Sequence, residues 1–376
     1  MSLFARLLAL FAALSIALLI AITVDVDSSA NVPQVRAVLE TEPVLSPGDA
    51  ADDVAIWIDP SNPLRSMIVA TDKDRGLVTY DLSGNALQHL AMGEINNVDL
   101  RDGFSLGGER ITLIAGSNRT DKTVVVLTID PVTRLLRVLN SVPIRVSLED
   151  AYGLCMYHSP KSDRFYIFVT STGNGAVEQW ELFDDAGKVG ARQVRSFIVG
   201  SDAEGCVADD QSATLYVSEE MRGIWRYGAE PSDGDARMLI DHIGGENPLK
   251  ADLEGLAIYQ GASGASYLVA SNQGNSEFVV YDRANGYAYV GSFKIGGGAT
   301  VDAVTLTDGI DLTHVSLGPT FPQGVLIVQD HRNTNPIANQ NFKLVSWADV
   351  ARALDLPDAS ATATQEPLSP AQAQAS

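Results

Sequence analysis

Short apolar runs alternate with turn-forming residues along most of the chain, and long stretches of helical periodicity are scarce. The first clear run, Val54 to Ile58, directly follows two adjacent carboxylates, Asp52 and Asp53, and reads as a buried strand. Charged side chains at the start of a buried strand need a cationic partner, because burying an unpaired charge is costly. We therefore expect a cation to meet these carboxylates.

The same arrangement, an acidic or amide residue followed by an apolar strand, occurs six times along the chain. Each interval between these segments also holds further strand-like runs separated by turn residues. A repeat of roughly 40 to 55 residues with four short antiparallel strands is the size of a propeller blade. Six repeats predict an all-β fold, a six-bladed β-propeller with a central channel. The six segments begin at Asp52, Asn96, Asp150, Asp202, Asp252 and Asp308.

Two successive β-sandwiches are the main alternative, since the length of 376 residues allows them. No linker divides the chain near its middle, however, and a sandwich gives no reason for the same signature to recur through both halves. The propeller is therefore the favoured architecture.

If each signature segment forms the innermost strand of a blade, the polar residues that lead the strands meet at one end of the channel. So many carboxylates cannot stay ionised and close together without counter-charge. Calcium suits them, because it takes six to eight oxygen ligands and needs no His or Cys; the amides of Asn96, Asn97 and Gln273 would be suitable neutral ligands. The alternative is that each leading Asp only caps a turn. Turn capping alone does not explain why the same arrangement recurs at six positions along the chain. The expected group comprises Asp52, Asp53, Asn97, Asp99, Asp150, Asp202, Glu204, Asp252, Glu254, Asp308 and Asp311.

Composition narrows the function classes. The formal net charge of -21 argues against nucleic-acid binding, which needs a basic footprint. The five histidines are scattered, which argues against a zinc hydrolase. For the two cysteines, Cys155 and Cys206, we favour buried thiols that pack as small apolar residues; a single disulfide is the alternative.

The two ends of the chain differ from the middle. The apolar run from residue 7 to 24 predicts a secretory signal peptide within residues 1–30, which we favour, or an N-terminal membrane anchor. Either places the folded domain outside the cytoplasm, as a secreted or periplasmic protein. The propeller domain is expected over residues 33–355 and a disordered tail over residues 356–376.

Ordered segments over about residues 38 to 350 resemble the β-propeller phytases, the alkaline calcium-dependent phytases of the 3-phytase type. No single segment is decisive, but the ordered set is specific, and the family fold is a six-bladed propeller. The segments include GDAADDVAIWIDP, INNVDLR, ATDKDRGLVTYDLSG, AGSNR, YGLCMYHS, AEGCVADD, LYVSEE, DLEGLAIY, SNQGNSEFVVYDR, TDGIDL and NQNFKLVSW.

The resemblance implies calcium-dependent hydrolysis of the phosphomonoesters of myo-inositol hexakisphosphate (phytate). A metal-bound water would attack phosphorus directly and release phosphate and lower inositol phosphates. Several calcium ions would be needed, and phytate would bind as its calcium complex. We expect a monomer with no obligate protein partner.

The resemblance also implies roles for individual residues. Lys73, Arg119 and Tyr152 would bind substrate phosphate, with Tyr152 also next to a calcium ion. The motif alone favours Glu220 over its neighbour Glu219. Asp53, Asp99, Asp302 and Asp330 would hold calcium ions nearer the scaffold. The catalytic calcium cluster would consist of Asp52, Glu204, Glu220, Asp252, Glu254, Gln273 and Asp308.

The chain departs from the family pattern in two places. No Lys or Arg occurs between Ser171 and Trp180, where the family has a phosphate-binding Lys. Asp330 is followed by His331 and Arg332 rather than an acid, so one scaffold calcium is lost or replaced by a salt bridge to Arg332. Two other functions stay open, a propeller esterase or lactonase with one channel calcium, and a non-catalytic calcium-stabilised propeller that binds a partner or polyanion.

Overall fold

The computed structural model describes residues 32–139, 141, 143–261 and 264–357. The signal or anchor predicted for residues 1–30 and nearly all of the predicted tail lie outside the described residues. Pro33 begins the compact unit that holds the fold.

Strands make up most of the described chain. A single α-helix, α1 (Trp347–Ala353), follows the last strand within the described ranges. In chain order the strands are β1 (Gln34–Arg36), β2 (Leu39–Glu40), β3 (Ala51–Trp57), β4 (Met67–Asp72), β5 (Gly76–Asp81), β6 (Ala86–Ala91), β7 (Ile95–Leu106), β8 (Glu109–Asn118), β9 (Thr123–Asp130), β10 (Leu135–Val138), β11 (Ile144–Arg145), β12 (Leu154–His158), β13 (Phe165–Val169), β14 (Ala176–Asp185), β15 (Lys188–Ile198), β16 (Cys206–Asp209), β17 (Thr214–Glu219), β18 (Gly223–Gly228), β19 (Arg237–His242), β20 (Leu253–Gln260), β21 (Ser266–Asn272), β22 (Glu277–Asp282), β23 (Ala288–Gly296), β24 (Ile310–Thr313), β25 (Val325–Asp330) and β26 (Asn341–Ser346).

These strands form six sheets arranged as a six-bladed β-propeller, which confirms the predicted fold and shows that the two-sandwich alternative is wrong. Blade one is β3–β6, blade two β7–β11, blade three β12–β15, blade four β16–β19, blade five β20–β23 with β1, and blade six β24–β26 with β2. The first strand of each blade contacts the first strand of the next around the ring, so these six strands line the channel. They are the six strands that the acid-then-apolar signature predicts.

The hydrophobic core is divided among the six gaps between neighbouring blades. Between blades one and six, for example, Val54 and Ile56 of β3 pack against Phe342 and Leu344 of β26. Equivalent clusters fill the other five gaps. Because each sheet is covered on both faces, β3 is buried along its whole length and reads as an apolar run rather than an alternating pattern.

Both ends of the described chain build the last blades of the ring. β2 pairs with β26 in blade six, with Leu39 opposite Leu344 and Glu40 opposite Lys343. β1 adds in parallel to the outer strand of blade five, where Gln34 lies opposite Lys294. This closure joins the start of the ring to its end and covers strand edges that would otherwise be exposed.

One disulfide, Cys155–Cys206, joins the inner strands of blades three and four. The favoured expectation of two buried thiols was therefore wrong. The two strands begin side by side, which brings the Cα atoms to 5.7 Å, within the usual range for a disulfide. Disulfides are typical of oxidising compartments, and the export expected from the N-terminal segment stays a prediction. Among the described residues, no helix is long and apolar enough to span a membrane.

Candidate active site

The inner strands approach one another closely at the end of the channel where they begin, which we call the mouth. A side chain added to Gly153 would overlap the backbone carbonyl of Glu204, and one on Gly205 would overlap that of Glu254. The missing Cβ atoms thus let the backbones of neighbouring blades meet at this end of the channel. A glycine within the first four residues of four of the six signature segments was a sequence signal for this contact that the prediction did not use. The four are Gly153, Gly205, Gly255 and Gly309.

Three glutamates form the centre of the mouth. Glu204 precedes β16, Glu220 follows β17 and Glu254 lies in β20, and one carboxylate oxygen from each lies within 4.8 Å of the others. Glu219, in contrast, accepts hydrogen bonds from Trp225 Nε1 (2.7 Å) and Ser201 Oγ (2.8 Å). The fold therefore brings Glu220 rather than Glu219 into the cluster, as the motif suggested.

Three further acids adjoin these glutamates. Asp52 and Asp308 interact electrostatically with Glu204 and Glu254, and Asp252 interacts with Glu220 and Glu254. Gln273 Nε2 donates a hydrogen bond to Asp308 Oδ1 at 2.5 Å, and the Gln273 carbonyl oxygen takes no part in this bond. The structure thus brings all seven predicted members of the catalytic calcium cluster to one mouth; their roles remain predictions.

Lys73, in the turn between β4 and β5, supplies a cation at this mouth. Its Nζ lies 2.9 Å from Asp52 Oδ2 and 3.1 Å from Asp49 Oδ2. Burial acts to lower the pKa of Lys73, but the Asp52 and Asp308 carboxylates outweigh burial and raise this pKa above its usual value. Lys73 therefore stays charged.

Arg119 and Tyr152 form a second pair at the mouth. Arg119 Nη2 lies 2.8 Å from Asp150 Oδ2, and the guanidinium carbon stands 5.3 Å from the centre of the Tyr152 ring, a cation–π geometry. Burial together with the neighbouring carboxylates of Glu204, Glu254 and Glu220 raises the pKa of Tyr152. Tyr152 thus stays a neutral phenol beside the glutamate cluster.

The mouth carboxylates repel one another. Burial and the charges of neighbouring acids raise the pKa values of Glu204, Glu254 and Asp308 well above their usual range. Burial, Asp202 and Asp252 raise the pKa of Glu220 to about 7. The cluster can therefore be fully ionised near neutral pH only when a cation compensates its charge.

The oxygen atoms of this cluster fit a calcium ion. Asp52 Oδ1, Glu220 Oε1 and Glu254 Oε2 are buried and have no hydrogen-bond partner among the described residues. Oxygens that share one calcium at about 2.3–2.6 Å lie within roughly 5 Å of each other, which the 4.8 Å spacing of the three glutamates allows. Buried acceptors without donors are the arrangement expected of cation ligands.

Asp53 and Asp99 lie further along the channel than the mouth cluster. Asp53 Oδ2 accepts the backbone N–H of Val98 (3.0 Å) and Asp99 Oδ2 that of Met156 (2.8 Å), so each bonds the next blade. Arg101 Nη1 lies 2.9 Å from Asp99 Oδ1, and these residues line a cavity of about 330 Å³. Their hydrogen bonds tie blades together, and their scaffold-calcium roles stay predictions.

Asp302 and Asp330 both contact a buried lysine, Lys343. Lys343, fully buried in β26, contacts Glu40 Oε2, Asp302 Oδ1 (2.6 Å) and Asp330 Oδ2 (3.4 Å). Of the two alternatives offered for Asp330, the salt bridge to the Arg332 side chain does not form within the described ranges: Asp330 pairs with Lys343 and accepts from Arg332 only the backbone N–H (3.3 Å), while the loss of a scaffold calcium stays a prediction. A lysine in the otherwise apolar run of β26 was the sequence signal for buried carboxylate partners.

Asn96 was expected as a neutral metal ligand, but both ends of its amide are occupied. Its Nδ2 donates to Glu204 Oε1 at 2.8 Å, and its Oδ1 accepts from Arg119 Nη1 at 3.1 Å. No local pattern indicated that one amide joins these two residues, because Arg119 and Glu204 come from different blades.

Comparisons with known proteins identify close relatives of this chain. A family model described as Phytase matches residues 3–367. The chain is 41% identical over 333 residues to a 3-phytase of Bacillus subtilis (strain 168), covering 86% of this chain and 87% of that protein.

Solved structures resemble the chain more weakly. A luciferin-regenerating enzyme gives a TM-score of 0.49 at 11% identity, covering 81% of this chain and 95% of its own. A chain of a nidogen/laminin complex gives 0.42 at 12% identity, covering 75% and 84%. Both scores lie below 0.5, so neither likeness supports a conclusion about function.

Proposed function

The chain belongs to the Phytase family and is a phytate-hydrolysing phosphatase, and we propose that its activity depends on calcium ions held by the carboxylates of the mouth. We further propose that water attacks phosphorus directly, without a phosphoenzyme. Membership of an enzyme family favours this function over the non-catalytic propeller and over the esterase or lactonase that the sequence left open.

The observation that carries the calcium proposal is a set of buried oxygens on Asp52, Glu220 and Glu254 that have no hydrogen-bond partner in the part of the chain that the structure describes. Water or protein donors usually satisfy buried carboxylate oxygens, so three such atoms in one cluster indicate a cation-binding site. A chain of net charge -21 would also repel a hexaphosphate unless bound metal reversed the charge of the mouth.

The fixed cations of the mouth would orient the substrate. Lys73 of blade one contacts Asp52, and Arg119 of blade two contacts Asp150; both could bind phosphate oxygens, with Arg119 offering the better geometry. Tyr152 would donate to the glutamates and pack beneath Arg119. When bound, calcium would neutralise phosphate charge and lower the pKa of water.

Direct attack by water is supported by the chemistry of the available side chains. Both cysteines are held in the disulfide, so neither can act as a thiolate nucleophile. Phosphoryl transfer asks mainly for positioning and charge neutralisation, which the two cations and the carboxylate cluster would provide together.

Phosphate release from phytate, measured against free calcium concentration, tests the proposal. We expect no turnover in excess chelator and full recovery when calcium is returned. Turnover that persists in chelator, in a protein shown to be folded by circular dichroism, would contradict the calcium requirement. Release without any dependence on phytate concentration would contradict a phytate site.

A further inference from the structure

Asn96 lies at the start of β7, between Arg119, a proposed phosphate ligand, and Glu204 of the glutamate cluster. Its side chain is buried, with 1% of its surface exposed. One amide N–H₂ group donates to Glu204 Oε1 (2.8 Å) and Asn97 Oδ1 (2.9 Å), and the amide oxygen accepts from Arg119 Nη1 (3.1 Å).

The orientation of this amide follows from the chemistry of its two neighbours. A guanidinium can only donate, so the group facing Arg119 must be the carbonyl oxygen. In the ionised state that would hold calcium, the Glu204 carboxylate can only accept, so the group facing it must then be the N–H₂. The arginine and the glutamate therefore fix the same amide in one orientation, and flipping it would break both contacts.

We propose that Asn96 is a positioning residue that couples Arg119 to the calcium affinity of Glu204. This inference rests on the proposed calcium-dependent function. By donating to Oε1 at 2.8 Å, Asn96 holds the Glu204 carboxylate in one orientation, as outer-shell partners of metal ligands do. By bonding the amide oxygen, Arg119 keeps the N–H₂ directed at Glu204.

Loss of the amide disturbs both sides of the mouth. In Asn96→Ala, Glu204 Oε1 loses its Asn96 donor, and Arg119 loses one acceptor while Asp150 still holds its other nitrogen. Glu204 is then freer to rotate away from the orientation that holds calcium. This loss of orientation weakens calcium binding, and the loosened Arg119 raises the KM for phytate.

Calcium binding without substrate, measured by titration calorimetry, tests this coupling. The proteins compared are the unchanged chain, Asn96→Ala, Arg119→Ala and the double variant. We expect Asn96→Ala to weaken calcium binding by about 10- to 100-fold, the usual effect of losing an outer-shell partner. Arg119→Ala should weaken binding in the unchanged chain but have little further effect once Asn96 is absent.

Gln179→Ala is the matched control. Gln179 is also a buried amide that accepts from an arginine, Arg195 (3.4 Å), and donates to a carbonyl, that of Ala229 (2.8 Å), but it lies in blade three away from the mouth. It should leave calcium affinity unchanged. Melting temperatures in chelator check that every variant is folded.

The outcomes separate the two proposals. Weaker binding in Asn96→Ala with non-additive effects of the two substitutions supports the coupling. Unchanged binding in Asn96→Ala, additive effects, or an equal loss in Gln179→Ala overturns it and leaves the calcium-dependent function standing. No calcium binding by the unchanged protein overturns both.

Discussion

At the scale of single residues, Glu204 is the point where the different groups of the mouth meet. Its carboxylate receives a hydrogen bond from Asn96 Nδ2 at 2.8 Å and shares a cluster with Glu220 and Glu254. A neutral donor thus holds one oxygen of a carboxylate that also lies among like charges. Such a group is well oriented to hold a cation, as expected of a metal ligand.

We expect Glu204→Gln to abolish phytate turnover while the protein stays folded. The amide keeps the shape of the side chain but removes the negative charge that a calcium ion needs, so the loss should exceed the roughly 10- to 100-fold typical of an outer-shell change. Steady-state phosphate release at saturating calcium measures it.

Glu178→Gln is the control for this substitution, because Glu178 is a buried glutamate in blade three that bonds Ser147 N (3.1 Å) and Trp180 Nε1 (2.9 Å). It should keep near-normal turnover. If the activity of Glu204→Gln stays within a few-fold of that of the unchanged protein, Glu204 is not a ligand of the proposed metal cluster.

At the scale of elements, the strands that close the ring are joined by ion pairs around one buried lysine. Lys343 of β26 reaches Glu40 of β2, Asp302 before β24 and Asp330 at the end of β25. An ammonium has three donors, and three carboxylates surround it. The ion cluster thus fastens the N-terminal strand of blade six to the rest of that blade.

Lys343→Met should lower the free energy of unfolding by about 3–5 kcal/mol, the usual result of removing one partner of a buried ion pair. The methionine fills most of the volume but leaves three carboxylates without their cation. Denaturant unfolding in chelator measures the change. Lys188→Met, at an exposed position of β15, is the control and should change stability little.

A loss below about 1 kcal/mol would contradict this role for Lys343. If added calcium restores the stability of Lys343→Met, the three carboxylates can hold the scaffold ion that the resemblance implies for Asp302 and Asp330. In the unchanged protein the lysine ammonium already lies among them.

At the scale of the whole molecule, the ring brings acidic residues that lie far apart in the sequence close enough to repel one another. The inner strands direct their leading acids to the same mouth, so the stability of the fold depends on the protonation of that cluster. The pKa of Glu220 is raised from 4.5 to about 7, and those of Glu204, Glu254 and Asp308 are raised well above their usual range.

We expect the metal-free protein to lose stability as pH rises. A raised carboxyl pKa means that the folded state holds protons more tightly than the unfolded chain, so the free energy of unfolding falls as pH rises from about 4.5 through 7. Acids with lowered pKa values, such as Asp209 and Asp302, act in the opposite direction but only below about pH 4.

Melting temperatures between pH 5 and 8, in chelator and in millimolar calcium, measure this dependence. On the proposed function, calcium would bind the ionised folded state, so it should raise the melting temperature more at pH 8 than at pH 5. A melting temperature in chelator that rises steadily with pH, or a larger calcium effect at pH 5, would contradict it.

Much of the mouth could be predicted from sequence because its residues lie in a local pattern that repeats in phase. Asp52, Glu204, Glu254 and Asp308 each stand at or just before an apolar inner strand, and a ring of such strands brings them together whatever the details of packing. The repeat pattern by itself did not separate Asp52, which contacts Lys73, from Asp53, which bonds Val98; only the family resemblance assigned them different roles.

The contacts that the sequence did not reveal join residues far apart in the chain. Asn96 meets Glu204 across 108 residues, Lys343 meets Glu40 across 303, and Cys155 meets Cys206 between blades. Local pattern determines which residues form inner strands, and therefore the blade count and the acidic mouth. Only the closed ring decides which side chains of different blades meet, because that depends on the register and spacing between sheets rather than on any one segment.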